Sequence, residues 1–184
     1  DNRKDIAPWF QRVTPHADIR QGRLDESVFA ANLAEVALGH GREIYNNPIM
    51  FFSKTYFTAG LKNVAKTVIS GLNGKGDAEN RVISLQTGFG GGKTHTLISL
   101  YHIVKWGKKA AQSSRATELL AYTGMPEFDA ANIAVFTNTT NDPANGRKVA
   151  DDITLNTIWG ELAYQLGGKA CYEIIRKNDE QLIA

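Results

Sequence analysis

A glycine-rich segment that runs directly into Gly92-Lys93-Thr94 is the strongest constraint on how this 184-residue chain folds. Four of its 17 glycines lie within five positions, at Gly88 and at residues 90–92. Residues 81–87, before the glycines, form a short β-branched run. Apolar residues at helical spacing follow from 97 to 104 and predict a helix that ends near Gly107. A strand, a glycine loop and a helix in this order are the context in which a phosphate-binding motif is specific.

The residue types in this segment match the chemistry of a phosphate-binding loop. In such a loop backbone N–H groups surround the phosphates, the lysine ammonium reaches the β and γ phosphates, and the hydroxyl binds magnesium. We therefore predict ATP and Mg²⁺ as cofactors, Lys93 as the catalytic residue and Thr94 as the metal ligand. The predicted nucleotide-binding residues are Gly88, Phe89, Gly90, Gly91, Gly92, Lys93, Thr94 and His95. The alternatives are a flexible hairpin for the glycines and a packing or capping role for His95.

The position that opens the usual motif, normally glycine, is Thr87, and the hydrolytic acid is also missing. An ATPase of this class needs a carboxylate that holds magnesium at the end of a neighbouring strand. The buried-strand candidate, residues 132–136, leads instead into Asn138, which is a candidate either for a γ-phosphate contact or for a turn. Either the chain binds nucleotide without hydrolysing it, or the acid lies beyond Ala184; the order of elements favours the second reading.

The hydrophobic pattern predicts an α/β fold in two parts. The predicted helices are residues 26–38, a helix after Pro48 that continues to Gly71, residues 115–122, and residues 153–166 capped by Asp151 or Asp152 and closed by Gly167-Gly168. We expect a P-loop NTPase core with a mostly parallel sheet flanked by helices, preceded by a helical N-terminal arm and incomplete at the C-terminus. Residues 1–78 would form the arm, and residues 79–184 the first part of the core.

Composition excludes several other classes of protein. With 42% hydrophobic and 22% charged residues, the chain resembles an ordinary globular protein. The net charge of +2 comes from well-mixed charges and gives no support for nucleic-acid binding by this segment itself. The apolar runs are too short for a membrane helix, no signal peptide is visible, and Cys171 is alone. We therefore expect a cytoplasmic location and no membrane partner.

Five segments of the chain resemble the N-terminal part of the prokaryotic family called domain of unknown function 499. They are V-T-P-H-A-D-I (13–19), F-A-A-N-L (29–33), F-F-S-K-T-Y-F-T-A-G-L (51–61), T-G-F-G-G-G-K-T-H-T-L (87–97) and W-G-E-L-A-Y-Q-L-G-G (159–168). The resemblance covers most of the chain, and its most specific part is the glycine loop with the following His-Thr. It implies that Thr87 is a feature of the family and not a defect.

The resemblance also implies a function. Members of that family are large AAA-like P-loop ATPases of phage-defence islands, found beside DNA methyltransferases, helicases or nucleases. The implied role is ATP hydrolysis in phage defence or DNA processing within a longer protein, with DNA or DNA-modification and defence proteins as partners and homo-oligomerisation left open. The alternatives are a catalytically silent nucleotide-sensing or scaffolding module and a nucleotide or small-molecule kinase. Tyr56 and Phe57 are candidates for an adenine pocket, with core packing as the alternative.

Overall fold

The computed structural model describes residues 8–15, 17–22, 31–75, 82–86, 88, 90, 92–125, 127–137 and 144–183. The chain divides into two compact units, Asp1–Ala31 and Asn32–Ala184. In its described residues, the first unit has two short helices, α1 (Trp9–Arg12) and α2 (Ala17–Arg20). The rings of Trp9 and Phe10 meet edge to face, with their centroids 6.1 Å apart.

The second unit is mainly helical. Its elements are α3 (Leu33–Leu38), α4 (Glu43–Asn46), α5 (Pro48–Ser53), α6 (Ala59–Leu72), α7 (Lys93–Trp106), a 3₁₀ helix (Gly107–Gln112), α8 (Ser114–Thr123), β1 (Arg147–Ala150), β2 (Ile153–Leu155) and α9 (Ile158–Glu180). None of the helices in the described ranges is long and apolar enough to cross a membrane.

Helices α5, α6, α7 and α8 pack together around a common core. Its fully buried side chains include Phe51, Phe52, Ile69, Ile98, Ile103, Leu119 and Leu120. Burying a side chain of this size stabilises the fold by about 1.5–3 kcal/mol relative to leaving it exposed. This core fixes α7, the helix that follows the glycine loop.

Several predicted helix ends are confirmed. Gly39 closes α3 and Gly107 closes α7, with φ angles of 76° and 51°. Helix α8 covers the predicted residues 115–122 and ends at Gly124, whose φ is 74°. Glycine is favoured in these positions because a side chain is strained at positive φ. Of the predicted helix 26–38, residues 26–30 lie outside the described part.

The predicted continuous helix after Pro48 is wrong, because residues 54–58 divide it into α5 and α6. The Thr55 hydroxyl donates to the carbonyl of Phe51 over 2.7 Å, close to the end of α5. The Thr58 hydroxyl accepts from the N–H of Leu61 over 3.2 Å and caps α6. Threonine side chains that bond to the backbone in this way favour helix ends over helix interiors.

The prediction of a P-loop core with a mostly parallel sheet flanked by helices is also wrong. The strands in the described residues are β1 and β2, which form a two-stranded antiparallel sheet. Of the predicted strand 81–87, residues 81 and 87 lie outside the described part, and residues 82–86 have no regular secondary structure. Residues 132–136, the second predicted strand, have none either. Val82, expected in a buried strand, is 89% exposed.

The contacts of residues 132–136 give the physical reason for the second missing strand. A strand needs a neighbour that takes its backbone hydrogen bonds. Here the side-chain amide of Gln165, on α9, does so: its Oε1 accepts from the N–H of Val135 over 2.8 Å, and its Nε2 donates to the Val135 carbonyl over 3.0 Å. Asn132 likewise donates through Nδ2 to the Leu166 carbonyl over 2.7 Å. Helix α9 therefore lies where a parallel partner strand was expected.

The predicted helix 153–166 starts too early, but its predicted end at Gly167-Gly168 is confirmed, because the backbone of Gly168 is not helical. Residues 151–152 form the turn between β1 and β2, so neither aspartate caps a helix. The cap of α9 is Thr157, whose hydroxyl accepts from the N–H of Gly160 over 3.0 Å. The predicted stop is a sharp bend at Gly168 (φ 65°, ψ −160°), after which the chain continues as helix.

The bend at Gly168 folds the second half of α9 back along the first. In a straight helix, Gly160 and Asp179 would be about 28 Å apart. Instead the Asp179 carboxylate lies against Gly160, so closely that a methyl group there would overlap it. The same fold buries Tyr172 beside Ile153 and Leu155 of β2.

The Asp179 carboxylate holds the start of α9. It accepts from the Thr157 N–H (2.8 Å), the Thr157 hydroxyl (2.5 Å) and the Asn156 N–H (3.0 Å), and Tyr172 donates to it through its hydroxyl (3.0 Å). Burial raises the pKa of Asp179, but these hydrogen bonds outweigh it and leave the pKa below its ordinary value. A negative group at the N-terminus of a helix also has a favourable interaction with the helix dipole.

We expect Gly160→Ala to lower the free energy of unfolding by about 1–3 kcal/mol, the usual cost of overpacking. The matched control is Gly71→Ala in α6, where an added methyl group meets no atom within 4 Å and φ is not positive. That change should leave stability unchanged or raise it by up to about 1 kcal/mol. Urea unfolding followed by circular dichroism measures both, and equal effects would contradict the close approach of Asp179 to Gly160.

Candidate functional site

The glycine segment leads into α7 through two residues with left-handed backbone. Gly90 has φ 75° and Gly92, the N-cap of α7, has φ 76°. Such angles favour glycine over other residues. Since Gly92 has no side chain, it offers no side-chain acceptor to the first N–H groups of α7, an arrangement that an anion can complete. Phe89, Gly91 and Asn138 lie outside the described residues.

Lys93 and Thr94 begin α7, and the predicted helix after the glycines is confirmed. The Lys93 ammonium donates to the carbonyl of Gly88 over 3.2 Å, so its positive charge lies beside the glycine segment. Thr94 is exposed. Apart from chain neighbours, no described atom lies within 4 Å of where a Cβ would stand on Gly88, Gly90 or Gly92. Among the described residues, the Cβ direction is therefore open at these three glycines.

His95 connects the first turn of α7 to residues 54–58. Its Nε2 lies 3.0 Å from the hydroxyl of Thr55, and its ring packs on Phe51 with centroids 4.6 Å apart. Because the Thr55 hydroxyl gives its hydrogen to the Phe51 carbonyl, it accepts here, and His95 donates through Nε2. Burial lowers the pKa of His95. His102 packs on the same Phe51 ring, with the two ring centroids 5.3 Å apart.

Arg115 of α8 holds residues 54–58 from the other side. It donates through Nη2 to the Thr55 carbonyl over 3.0 Å, and its guanidinium lies 4.4 Å from the ring centroid of Phe57. Phe57 is buried under this contact, as the packing alternative expected, whereas Tyr56 is 82% exposed. Helix α8 thus supports the first turn of α7 through Thr55, which contacts both Arg115 and His95.

Sequence reasoning missed three polar groups of this unit. Thr55, the partner of His95, stands 40 positions from it and has no local motif. Glu161 and Asp179 are fully buried carboxylates on α9. Only the long-range fold brings their partners to them, so no spacing rule could have identified them. In the described ranges no three His, Cys, Asp or Glu side chains are grouped as a metal site.

The family model of the DUF499 N-terminal domain matches residues 10–184 of the chain. The chain belongs to the DUF499 family. This confirms the resemblance carried by the five sequence segments. Searches of curated proteins and of solved structures gave no match to this DUF499 domain.

We expect this domain to lose stability as the pH falls from about 7.5 to 5.5. Burial lowers the pKa of His95, and it also lowers that of His102, although the hydrogen bond from its Nε2 to the Tyr45 carbonyl opposes this. An unfolded histidine has a pKa of about 6.5, so the unfolded chain takes up protons first. Stability is therefore fully present above that pH and is lost as the pH falls through it.

Urea unfolding at several pH values measures this loss. The variant His95→Gln keeps a side-chain donor near Thr55 but removes one titrating group, so its stability should depend less steeply on pH. The dependence should fall further in His95→Gln/His102→Gln. An unchanged pH dependence in both variants would contradict the burial of these two neutral imidazoles.

Proposed function

We propose that this DUF499 domain binds ATP together with Mg²⁺ at residues 88–95. The observation that carries the proposal is the position of Lys93: it is the first residue of α7, it follows a left-handed glycine, and its ammonium lies 3.2 Å from the Gly88 carbonyl. A phosphate beside the glycines would meet both this cation and the N-terminal end of the helix.

The neighbouring residues fit the same ligand. The exposed Thr94 hydroxyl is a hard oxygen donor of the kind that Mg²⁺ accepts, and phosphate oxygens and water would complete the coordination. Bound magnesium would neutralise charge on the phosphates. The first N–H groups of α7 would bind phosphate oxygens, and His95 would hold this turn against Thr55.

We extend the proposal to the biological role implied by the family. As part of an ATPase within a longer protein, the domain would act in phage defence or DNA processing, with DNA or DNA-modification and defence proteins as partners. A cytoplasmic location fits the supply of ATP and the single cysteine of the chain. Family membership supports this part of the proposal.

A second candidate, a nucleotide-binding module that does not hydrolyse ATP, has one specific observation in its favour. The two fully buried carboxylates of the described residues are both engaged away from the glycine loop. Glu161 binds Arg147, with both contacts at 2.6 Å, and Asp179 accepts from the N–H of Thr157, the N-cap of α9. Neither is available to polarise a water molecule.

We expect Lys93→Ala to weaken ATP binding in magnesium by at least about tenfold, because a charge-assisted hydrogen bond to phosphate is lost. Isothermal titration calorimetry with ATP and Mg²⁺ measures the affinity. The matched control is Lys66→Ala, an exposed lysine of α6, which should leave the affinity unchanged.

Thr94 provides a second readout from the same titration. Thr94→Ala should weaken binding in magnesium but not in EDTA, whereas Thr94→Ser should keep the magnesium effect because it keeps the hydroxyl. Equal affinity of the wild-type, Lys93→Ala and Thr94→Ala chains would refute the proposed site. Binding without turnover in the full-length protein would select the module that does not hydrolyse ATP.

A further inference from the structure

A cavity of about 360 Å³ lies beside α7, away from the glycine loop. One wall is apolar and comes from Ala34, Ala37 and Leu38 of α3 together with Ile133 and Val135. The cavity also has a polar wall, which is formed by side chains of α7, β1 and α9. Its volume is at the lower end of the range for small-molecule sites, which suits a compact ligand.

The polar wall holds a fixed guanidinium. Arg147 donates through Nε and Nη2 to the two carboxylate oxygens of Glu161, both over 2.6 Å. Gln165 donates to the same carboxylate over 2.9 Å. Glu161 is 1% exposed and fully engaged, whereas the Arg147 side chain keeps 26% exposure. The carboxylate thus orients the arginine fork and leaves Nη1 on the side away from that bidentate contact.

Lys105 adds a second cation to the cavity wall. Its ammonium donates to the hydroxyl of Tyr101 over 2.7 Å and lies 5.0 Å from the ring centroid. The phenol oxygen accepts from Lys105, so its own hydrogen can be donated to another acceptor. Arg147 and Lys105 face the cavity with one carboxylate, Glu161, and Arg147 neutralises that carboxylate. The remaining charge of the wall is positive.

From this wall we propose that the cavity binds a small organic anion with an apolar body, of the monocarboxylate class. The carboxylate of the ligand would meet Lys105, the Tyr101 hydroxyl and the outer edge of the Arg147 guanidinium. Its apolar body would pack against α3 and Ile133. A cationic ligand would be repelled by Lys105 and Arg147. A neutral ligand could not form charge-assisted hydrogen bonds with them.

Benzoate tests the proposal, with benzyl alcohol and benzylamine as neutral and cationic analogues of similar size. Titration of the whole chain followed by nuclear magnetic resonance should give a dissociation constant of about a millimolar for benzoate. Benzyl alcohol should bind about tenfold more weakly, and benzylamine should not bind. Equal binding of all three, or no binding of benzoate, would overturn the proposal.

Two variants locate the binding. Lys105→Met removes an exposed cation of the cavity and should weaken benzoate binding about tenfold, whereas Lys177→Met removes an exposed cation of α9 outside it and should not. Arg147→Lys keeps a charge beside the buried Glu161 but loses the fork, so it should also weaken benzoate binding. If Lys105→Met and Lys177→Met bind benzoate equally, the site is wrong. The test involves no nucleotide, so its outcome is independent of the glycine loop.

Discussion

Helix α7 is buried from Ile98 to Val104 except at Leu100, and both proposed sites depend on its being fixed there. Tyr101, His102, Ile103 and Val104 are four consecutive buried residues, which is more than a full helical turn. The helix therefore has core contacts on every side in this stretch and cannot rotate without breaking them. Its first turn presents Lys93 and Thr94, while its middle forms a wall of the cavity. A change in packing around α7 would therefore alter both the proposed ATP site and the cavity.

The buried Glu161 of α9 forms an ion pair with Arg147, and burying these charges costs desolvation free energy. Burying an ion pair is not by itself stabilising, but removing one partner of such a pair costs about 3–5 kcal/mol. Arg147 and Glu161 therefore depend on each other, and Gln165 adds a third contact to the carboxylate. Because the same Gln165 holds Val135, the ion pair also determines where residues 132–136 lie. Side-chain hydrogen bonds and an ion pair, and not the backbone pairing of a sheet, therefore hold residues 132–136 against α9.

The elements that the sequence predicted correctly are those whose cause is local. The ends of α3 and α7 follow from Gly39 and Gly107, and the start of α7 follows from the glycine motif. The predicted strand 132–136 failed because a strand forms only beside a partner, and at Val135 the Gln165 amide takes the backbone hydrogen bonds instead. In the candidate site, Lys93 could be identified from spacing alone. The support from Thr55 could not, because it depends on how distant helices pack.

The contact between Gln165 and Val135 has a further consequence for how the chain behaves among copies of itself. An extended apolar segment with unsatisfied backbone groups can recruit a strand from another molecule. Phe136, next to Val135, is 42% exposed, so the segment carries the apolar character that favours such pairing. A single side-chain amide already occupies both backbone groups of Val135. The Gln165 amide thus takes up the two backbone groups through which Val135 would pair with a strand of another molecule.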